Sequence, residues 1–242
     1  MKKKFNYYLN MKKAKELEKR YERKWVFNKK NVDIDLNQTF ILLKRSNFFF
    51  MKQFSDRQVN SIYFDDQHYN SMLQNIEGIN NKTKYRLRWY GNFTKIVDSV
   101  FEIKRKNGFI VSKENFEMKK INNLCLLKDE DLKEIEKYIN NSFNFTNKIF
   151  PILSTHYLRS YFISSNNLVR ATIDRDLKSL FLYQNRNTNI IKEFNDIILE
   201  LKYDLDLDDY VRKNIGNISV RLSKNSKFIN SGVNVPDRLT YI

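Results

Sequence analysis

The sequence predicts an α+β fold built on an antiparallel β-barrel with flanking helices. Short segments in which polar and apolar residues alternate, a pattern typical of strands, recur along the chain. They number about eight or nine, which is more strands than one open sheet in a domain of this size usually holds. Segments with helical spacing of apolar residues lie between them, so strands dominate and helices intervene.

The strand candidates can be taken in chain order. They are 21–27, 61–65, 85–90, 100–106, 108–112, 157–162, 169–174, 197–203 and 218–222. The run that begins at Gly108 is expected to pair back onto 100–106 as a hairpin. Helices are predicted at 10–20, 36–50, 67–77, 124–141 and 205–215, and the acidic cluster at 129–131 suits a helix N-terminus.

Length and composition indicate one globular domain. The chain has 242 residues, of which 41% are hydrophobic and 14% aromatic, enough for a sizeable core. With 5 Gly and 2 Pro, no linker-like stretch divides it. We therefore predict a basic helical extension at residues 1–19 and one domain at residues 20–242.

The charge balance predicts an anionic partner. Lys and Arg number 44 against 28 Asp and Glu, which gives a net charge of +16. Nucleic acid, an anionic membrane or a polyanionic small molecule would each suit this charge, and composition does not choose among them. The single cysteine, Cys125, and the two histidines exclude an internal disulfide and a zinc-type ligand set.

The sequence offers no membrane or export signal. No run approaches the roughly 20 apolar residues that span a bilayer, and the start Met-Lys-Lys-Lys is not followed by an apolar stretch. We expect a soluble, cytoplasmic protein; a separate membrane partner is left open, as is the oligomeric state.

Alternation also sorts the charged residues by strand face, since side chains two apart point the same way. The opposite face of most strands is apolar, as in Leu87 and Trp89. The charged or polar sets are Glu22 and Lys24; Arg86 and Arg88; Glu102, Lys104 and Lys106; Tyr157, Arg159 and Tyr161; Arg170, Thr172 and Asp174; and Glu200 and Lys202.

The simplest interpretation of such a face is that it points to water. The recurrence of Arg or Lys at strand centres, with isolated glutamates among them, favours a buried face instead. Clustered cations then need an anion, and a phosphate chain supplies one. Glutamates among the cations could hold a divalent metal that bridges phosphates.

Several motifs in order resemble the vacuolar transporter chaperone (VTC) domain, the polyphosphate polymerase branch of the CYTH-like triphosphate tunnel metalloenzymes. The resemblance runs from about Arg20 to Gly232. Its motifs lie at 20–25, 59–66, 84–91, 101–108 with 111–113, 171–174, 199–203 and 225–232.

This resemblance implies a closed eight-stranded antiparallel β-barrel, a tunnel that binds ATP and polyphosphate with Mn²⁺ or Mg²⁺. The γ-phosphate of ATP would pass to a growing polyphosphate chain. The resemblance gives phosphate contacts to Lys24, Arg86, Arg88, Lys104, Arg159, Arg170 and Lys227. Further substrate contacts are expected from Lys106, Tyr157, Tyr161, Lys202 and Ser226. Glu200 would be the metal ligand; Glu22 and Glu102 are either further metal contacts or partners of neighbouring arginines.

One departure bears on the chemistry. The CYTH signature carries two glutamates before its lysine, but Arg20 stands at the first of these positions, leaving only Glu22 ahead of Lys24. The loss favours chain extension over hydrolysis by a two-metal site. His68 and His156 are not required, because a terminal phosphate is already anionic.

Other functions stay open at this stage. They are an inorganic triphosphatase and a non-catalytic module that binds polyphosphate or an inositol pyrophosphate. A nucleic-acid partner is not expected, since most aromatic residues lie opposite the charges rather than among them.

Overall fold

The computed structural model describes residues 13–17, 20–28, 35–107, 110–182, 191–216, 218, 220–223 and 225–232. Its strands are β1 (Lys13–Leu17), β2 (Arg20–Phe27), β3 (Met51–Asp65), β4 (Asn81–Tyr90), β5 (Val100–Asn107), β6 (Ile110–Glu117), β7 (Phe150–Ile163), β8 (Arg170–Phe181), β9 (Ile191–Phe194) and β10 (Ile197–Asp204). The α-helices are α1 (Leu36–Arg45), α2 (Asn70–Ile76), α3 (Asp129–Ser142), α4 (Asp208–Asn214) and α5 (Lys227–Gly232). Short 3₁₀ turns lie at Lys119–Ile121 and Leu205–Leu207.

All the strands belong to one antiparallel sheet, which is not closed into a barrel. The order is β1-β6-β5-β4-β3-β7-β8-β10-β2, with β9 paired to β8 beside this path. The prediction of a closed eight-stranded barrel is therefore wrong. Closure would require a ladder between the two end strands, but β1 occupies the outer edge of β6 and β2 ends the sheet beside β10.

The open sheet is nevertheless strongly curled. Leu17 ends β1 at one edge and Arg20 begins β2 at the other edge. Three residues span at most about 11 Å, so the two edges lie close together at this point. The Lys104 Nζ on β5 is 3.6 Å from the Glu22 Oε1 on β2, although six strand spacings of a flat sheet measure about 29 Å.

The predicted elements correspond closely to those of the structure, with two exceptions. Residues 218–222, predicted as a strand, form no strand in the part that the structure describes, and residues 13–17, predicted as helical, form β1. Residues 1–12, 18 and 19 of the predicted 1–19 extension, and Gly108 of the hairpin, lie outside the described residues. The β5–β6 hairpin is confirmed by its register, in which Lys104 opposes Lys113.

Helices cover the outer, apolar face of the sheet on two sides. Leu87, Trp89 and Phe101 pack with α3, whose Leu132 and Ile135 are buried. A second cluster joins α1 and α4 to the other end of the sheet through Trp25, Phe27, Leu43, Leu199, Leu201 and Val211. Helices therefore support the apolar, convex face of the sheet at both ends, and the charged side chains lie on its concave face. Within the described ranges, every helix is too short or too polar to cross a bilayer.

Helix α5 lies against the inside of the sheet. The Phe228 ring stacks on that of Tyr63 in β3, with ring centroids 4.9 Å apart. Gly232 ends this helix against Met72, and an added Cβ would lie 2.3 Å from the Met72 Cε. The lack of a side chain at Gly232 therefore permits the close packing of α5 against Met72 of α2.

The carboxylate of Asp65 shapes the turn from β3 into α2. Asp65 accepts hydrogen bonds from the backbone N–H groups of Asp66, Ser71 and Met72 at 3.0, 2.8 and 2.8 Å. Its side chain is buried. These bonds satisfy donors at the start of a helix that would otherwise be left without partners in a dry site.

We expect Asp65→Ala to lower the free energy of unfolding by about 2–4 kcal/mol, because it leaves three buried N–H groups without an acceptor. Urea denaturation followed by circular dichroism measures the change. Glu77→Ala, at an exposed position that follows the same helix, is the control and should stay within about 0.5 kcal/mol of the parent. Equal stability of the two variants would contradict the role given to Asp65.

Candidate functional site

The concave side of the curled sheet carries a dense set of charges, called here the inner face. Strand register places its members on one side of the sheet: Arg86 opposes Glu102, Lys24 opposes Glu200, and Arg159 opposes Asp174. The predicted grouping of charges by face is thus confirmed. Its basic members are Lys24, Lys84, Arg86, Arg88, Lys104, Lys113, Arg159, Arg170, Lys202 and, from α5, Lys227. Its acidic members are Glu22, Glu102, Asp174 and Glu200.

Glu102 is enclosed by three cations. Its carboxylate pairs with Arg86, with the Arg88 Nη2 at 3.1 Å and with the Lys113 Nζ at 3.0 Å. Burial alone would raise the pKa of the Glu102 carboxyl, but these three cations outweigh burial and lower it to about 2. The arrangement fixes two arginines side by side, the geometry suited to the oxygens of a phosphate group.

Asp174 holds a second pair of cations. Arg159 binds it through both oxygens, at 2.5 and 2.7 Å, and the Lys227 Nζ of α5 lies 2.5 Å from Oδ2. Burial opposes ionisation of this carboxyl, yet Arg159 and Lys227 keep its pKa below the usual value. The Lys227 Nζ also lies 4.5 Å from the centre of the buried Tyr157 ring. Asp174 therefore links α5 to the sheet.

Glu22 and Glu200 form a third group, in which two carboxylates share their lysines. The Lys24 Nζ is 3.5 Å from each of them, and the Lys202 Nζ lies 3.0 Å from Glu200 and 3.7 Å from Glu22. Glu200 is almost fully buried. Burial opposes its ionisation, but Lys24 and Lys202 hold the pKa of its carboxyl well below the usual range.

Lys84 differs from the other cations because no carboxylate in the described ranges lies within ion-pair distance of it. Its Nζ donates a hydrogen bond to the Ser226 Oγ at 3.0 Å and faces the Phe228 ring. Burial, together with the charges of Lys104 and Lys24, lowers the pKa of Lys84 to about 7. An ammonium placed among other ammonium groups without a counter-charge is a position where a bound anion would be stabilising.

The carboxylates of the inner face are the candidate ligands for a divalent metal. No three His, Cys, Asp or Glu side chains in the part of the chain that the structure describes come together as a ligand set. Mg²⁺ and Mn²⁺ are often held by one or two carboxylates plus substrate phosphates, and Glu22 with Glu200 fits that arrangement. Glu102 fits less well, because three cations already surround it.

Some predicted site residues lie at the margin of the inner face. Arg170 opposes Lys202 at the exposed start of β8, and Lys106 is exposed near the end of β5. Tyr161 is half-buried, and burial together with Tyr90 raises its pKa to about 12. His156 lies on the outer side, between Asn60 and Ser154, where burial lowers its pKa to about 4.

Sequence reasoning missed three members of the site. Lys84 precedes Arg86 by two residues, so the alternation that selected Arg86 also indicates Lys84. Lys113 faces Lys104 across the hairpin, which follows only once the register is known. Asp174 was placed on the charged face without a role, because its contact with Lys227 joins residues 53 apart in sequence.

The pH dependence of anion binding should reveal the contribution of the Lys84 ammonium group. Below pH 7 its ammonium is charged and strengthens binding of tripolyphosphate; as pH rises through 7 the charge is lost in the free protein. We expect Lys84→Met to weaken binding about tenfold at pH 6 and much less at pH 8.5. Calorimetric titration of parent and variant across this range measures the difference. A constant ratio of affinities at all pH values would contradict the assignment.

Comparison with known proteins gives one family match and several structural likenesses. The family model described as the VTC domain matches residues 2–234. No curated protein matches the chain.

The solved structures similar to this chain share little of its sequence. A candidate adenylyl cyclase from Hippeastrum, reported with a dominant triphosphatase activity, is 13% identical at a TM-score of 0.47, covering 89% of this chain and 98% of its own. A candidate adenylate cyclase from Bacillus halodurans is 14% identical at 0.46, with 88% and 96% covered. Another from Vibrio parahaemolyticus is 11% identical at 0.45, with 82% and 83% covered.

Proposed function

Since this chain belongs to the VTC domain family, we propose that it is a polyphosphate polymerase, which transfers the γ-phosphate of ATP to a growing polyphosphate chain. The reaction would take place on the inner face, with a divalent metal. ATP and polyphosphate are the partners that this function requires.

The excess of cations on the inner face is the observation that carries the proposal. Its basic side chains outnumber its carboxylates, and Lys84 faces further cations without an acidic partner in the described residues. Glu102, Asp174 and Glu200 are buried and hold the surrounding cations in place. A polyanion supplies the charge that this arrangement lacks, and its phosphate oxygens suit paired arginines.

The chemistry needs little covalent help from the protein. A terminal oxygen of the polyphosphate chain attacks the γ-phosphorus of ATP, a P–O bond forms, and the bond to the β-phosphate oxygen breaks to release ADP. The attacking oxygen is already anionic, so no general base is needed. Arg86, Arg88 and Arg159 orient the phosphates and offset the charge of the transferred group, which are the main contributions to catalysis of this reaction.

A divalent cation would be held by Glu200, with Glu22 beside it. Such a cation would supply positive charge that offsets part of the charge of the phosphates. Lys24 and Lys202 balance the Glu200 carboxylate, and under the proposed function their ammonium groups would also contact phosphate oxygens.

Transfer to phosphate rather than to water is supported by two features. Arg20, which pairs with Asp204 at 3.8 Å, stands at the sequence position where a hydrolytic two-metal site would use a carboxylate. His156, the one buried histidine in the described ranges, lies on the outer side of the sheet and offers the inner face no base.

The test is an assay with γ-³²P-ATP and Mn²⁺, with products separated on a gel. A ladder of long phosphate chains is expected for a polymerase. Release of free phosphate alone would contradict the proposal and show that the protein is a triphosphatase. Tight binding of tripolyphosphate without turnover would show a non-catalytic phosphate-binding module instead.

A further inference from the structure

An arginine surrounded by three aromatic rings borders the inner face. The Arg57 guanidinium carbon lies 4.8 Å from the centre of the Phe54 ring, 5.8 Å from that of Tyr90 and 5.7 Å from that of Tyr161. The Phe54 and Tyr161 rings meet edge to face, with centroids 5.8 Å apart. These four residues are called here the aromatic cluster.

An irregularity of β3 brings the cluster together. Residues three apart on a regular strand point to opposite faces, so Phe54 and Arg57 should not meet. The pairing of β3 with β7 shifts register between these two residues. Such bulges re-aim side chains and are common beside functional sites. The shift places the Phe54 ring against the guanidinium on the same side of the sheet.

The cluster is exposed although it is rich in apolar surface. Phe54 is 44% exposed and Tyr90 is 39% exposed, and Arg57 is exposed as well. No carboxylate in the described ranges pairs with Arg57: the neighbouring Asp56 binds Lys52 and Arg175 instead. The cluster therefore offers ring faces and an unneutralised guanidinium plane to a ligand, which an ordinary buried core would not.

The cluster is continuous with the inner face. Arg57 opposes Arg159 across the β3–β7 ladder, and Tyr161 follows Arg159 by two residues on the same strand face. The Arg88 guanidinium carbon lies 5.2 Å from the centre of the Tyr90 ring. Two arginines of the phosphate-binding set thus touch or adjoin the cluster, so a ligand on it would lie next to phosphates on the inner face.

We propose that the aromatic cluster binds the base of the nucleotide donor while the inner face binds its phosphates. The inference rests on the proposed function, because it assumes a nucleoside triphosphate as the donor. Bases stack on aromatic rings and on guanidinium planes alike, and this stacking tolerates different bases since every base has a π-face. The cluster would thereby let the protein distinguish a nucleotide from a bare phosphate chain.

The test compares two ligands that differ by the nucleoside. Calorimetric titration with ATP and with inorganic tripolyphosphate gives both affinities for the parent protein, for Phe54→Ala and for Arg57→Gln. Each variant should bind ATP about 5- to 150-fold more weakly, the range that stacking contributes for one base. Phe54→Ala should bind tripolyphosphate within about twofold of the parent. Phe93→Ala, which removes another exposed ring that packs on His156, should leave both affinities unchanged.

Unchanged binding of ATP by Phe54→Ala, or an equal loss for both ligands, would overturn the proposal without contradicting the proposed function. Failure of the parent protein to bind either ligand would overturn the proposed function as well, so the two failures are distinguishable. Circular dichroism of Phe54→Ala confirms that an altered affinity does not arise from unfolding.

Discussion

Glu200→Gln is expected to lower the metal-dependent activity about 100-fold or more while the fold is retained. The amide keeps the shape of the side chain and removes the negative charge. Glu200 is almost fully buried between Lys24 and Lys202, and the pKa of its carboxyl is held well below the usual range. It is therefore the carboxylate best prepared to hold a divalent cation beside phosphates.

Activity is measured as phosphate-chain synthesis over a series of Mn²⁺ and Mg²⁺ concentrations, with far-UV circular dichroism to check the fold. Glu193→Gln, which neutralises an exposed carboxylate paired with Lys178, is the matched control and should retain full activity. If Glu200→Gln retained the metal dependence of the parent, a residue other than Glu200 would be the metal ligand. Recovery at high metal concentration would indicate weakened binding of the cation at the expected place.

Removal of the paired arginines should have the largest effect on substrate binding. Arg86→Ala with Arg88→Ala would leave the buried Glu102 with Lys113 as its remaining cation, and part of any loss would then reflect instability. Arg86→Met, Arg88→Met and Glu102→Gln combined remove the cations together with their counter-charge. We expect tripolyphosphate affinity to fall roughly 100- to 10,000-fold, from two charge-assisted contacts of about 1.5–3 kcal/mol each.

The combined variant changes the net charge by one unit, and its control should do the same. Arg105→Met serves this purpose: Arg105 adjoins Lys104 on β5 but points to the other side, where it pairs with Glu114. Calorimetry at two salt concentrations separates local contacts from the general field of the protein. Equal losses in the two proteins would show that the inner face binds phosphate only through net charge.

Strand faces were predictable from this sequence because alternation has a period of two, and the positions of Lys24, Arg86, Lys104 and Glu200 follow directly from it. Closure of the sheet was not. Alternation says which way a side chain points, but nothing about which strand meets an edge. The edge of β6 pairs with β1, a charged segment whose composition favours helix.

Contacts between distant segments were the other gap. The family resemblance selected Lys227 and Ser226 within a motif, but it gave no indication that they meet Asp174 and Lys84 on the sheet. The aromatic cluster was hidden for a related reason. Phe54 and Arg57 have opposite parity along β3, so only the register shift between them reveals that they share a side.

The two edge strands of the curled sheet, β1 and β2, approach each other without a hydrogen-bonded ladder between them. On the concave side, Lys104 of β5 and Glu22 of β2 meet at 3.6 Å with both side chains partly in water. Such pairs contribute about 0–1 kcal/mol. Because no ladder in the described residues joins β1 to β2, moving these edges apart would break side-chain contacts such as this pair and no strand pairing. Under the proposed function, a phosphate chain that took Lys104 as its partner would remove this attraction at a cost of about 0–1 kcal/mol.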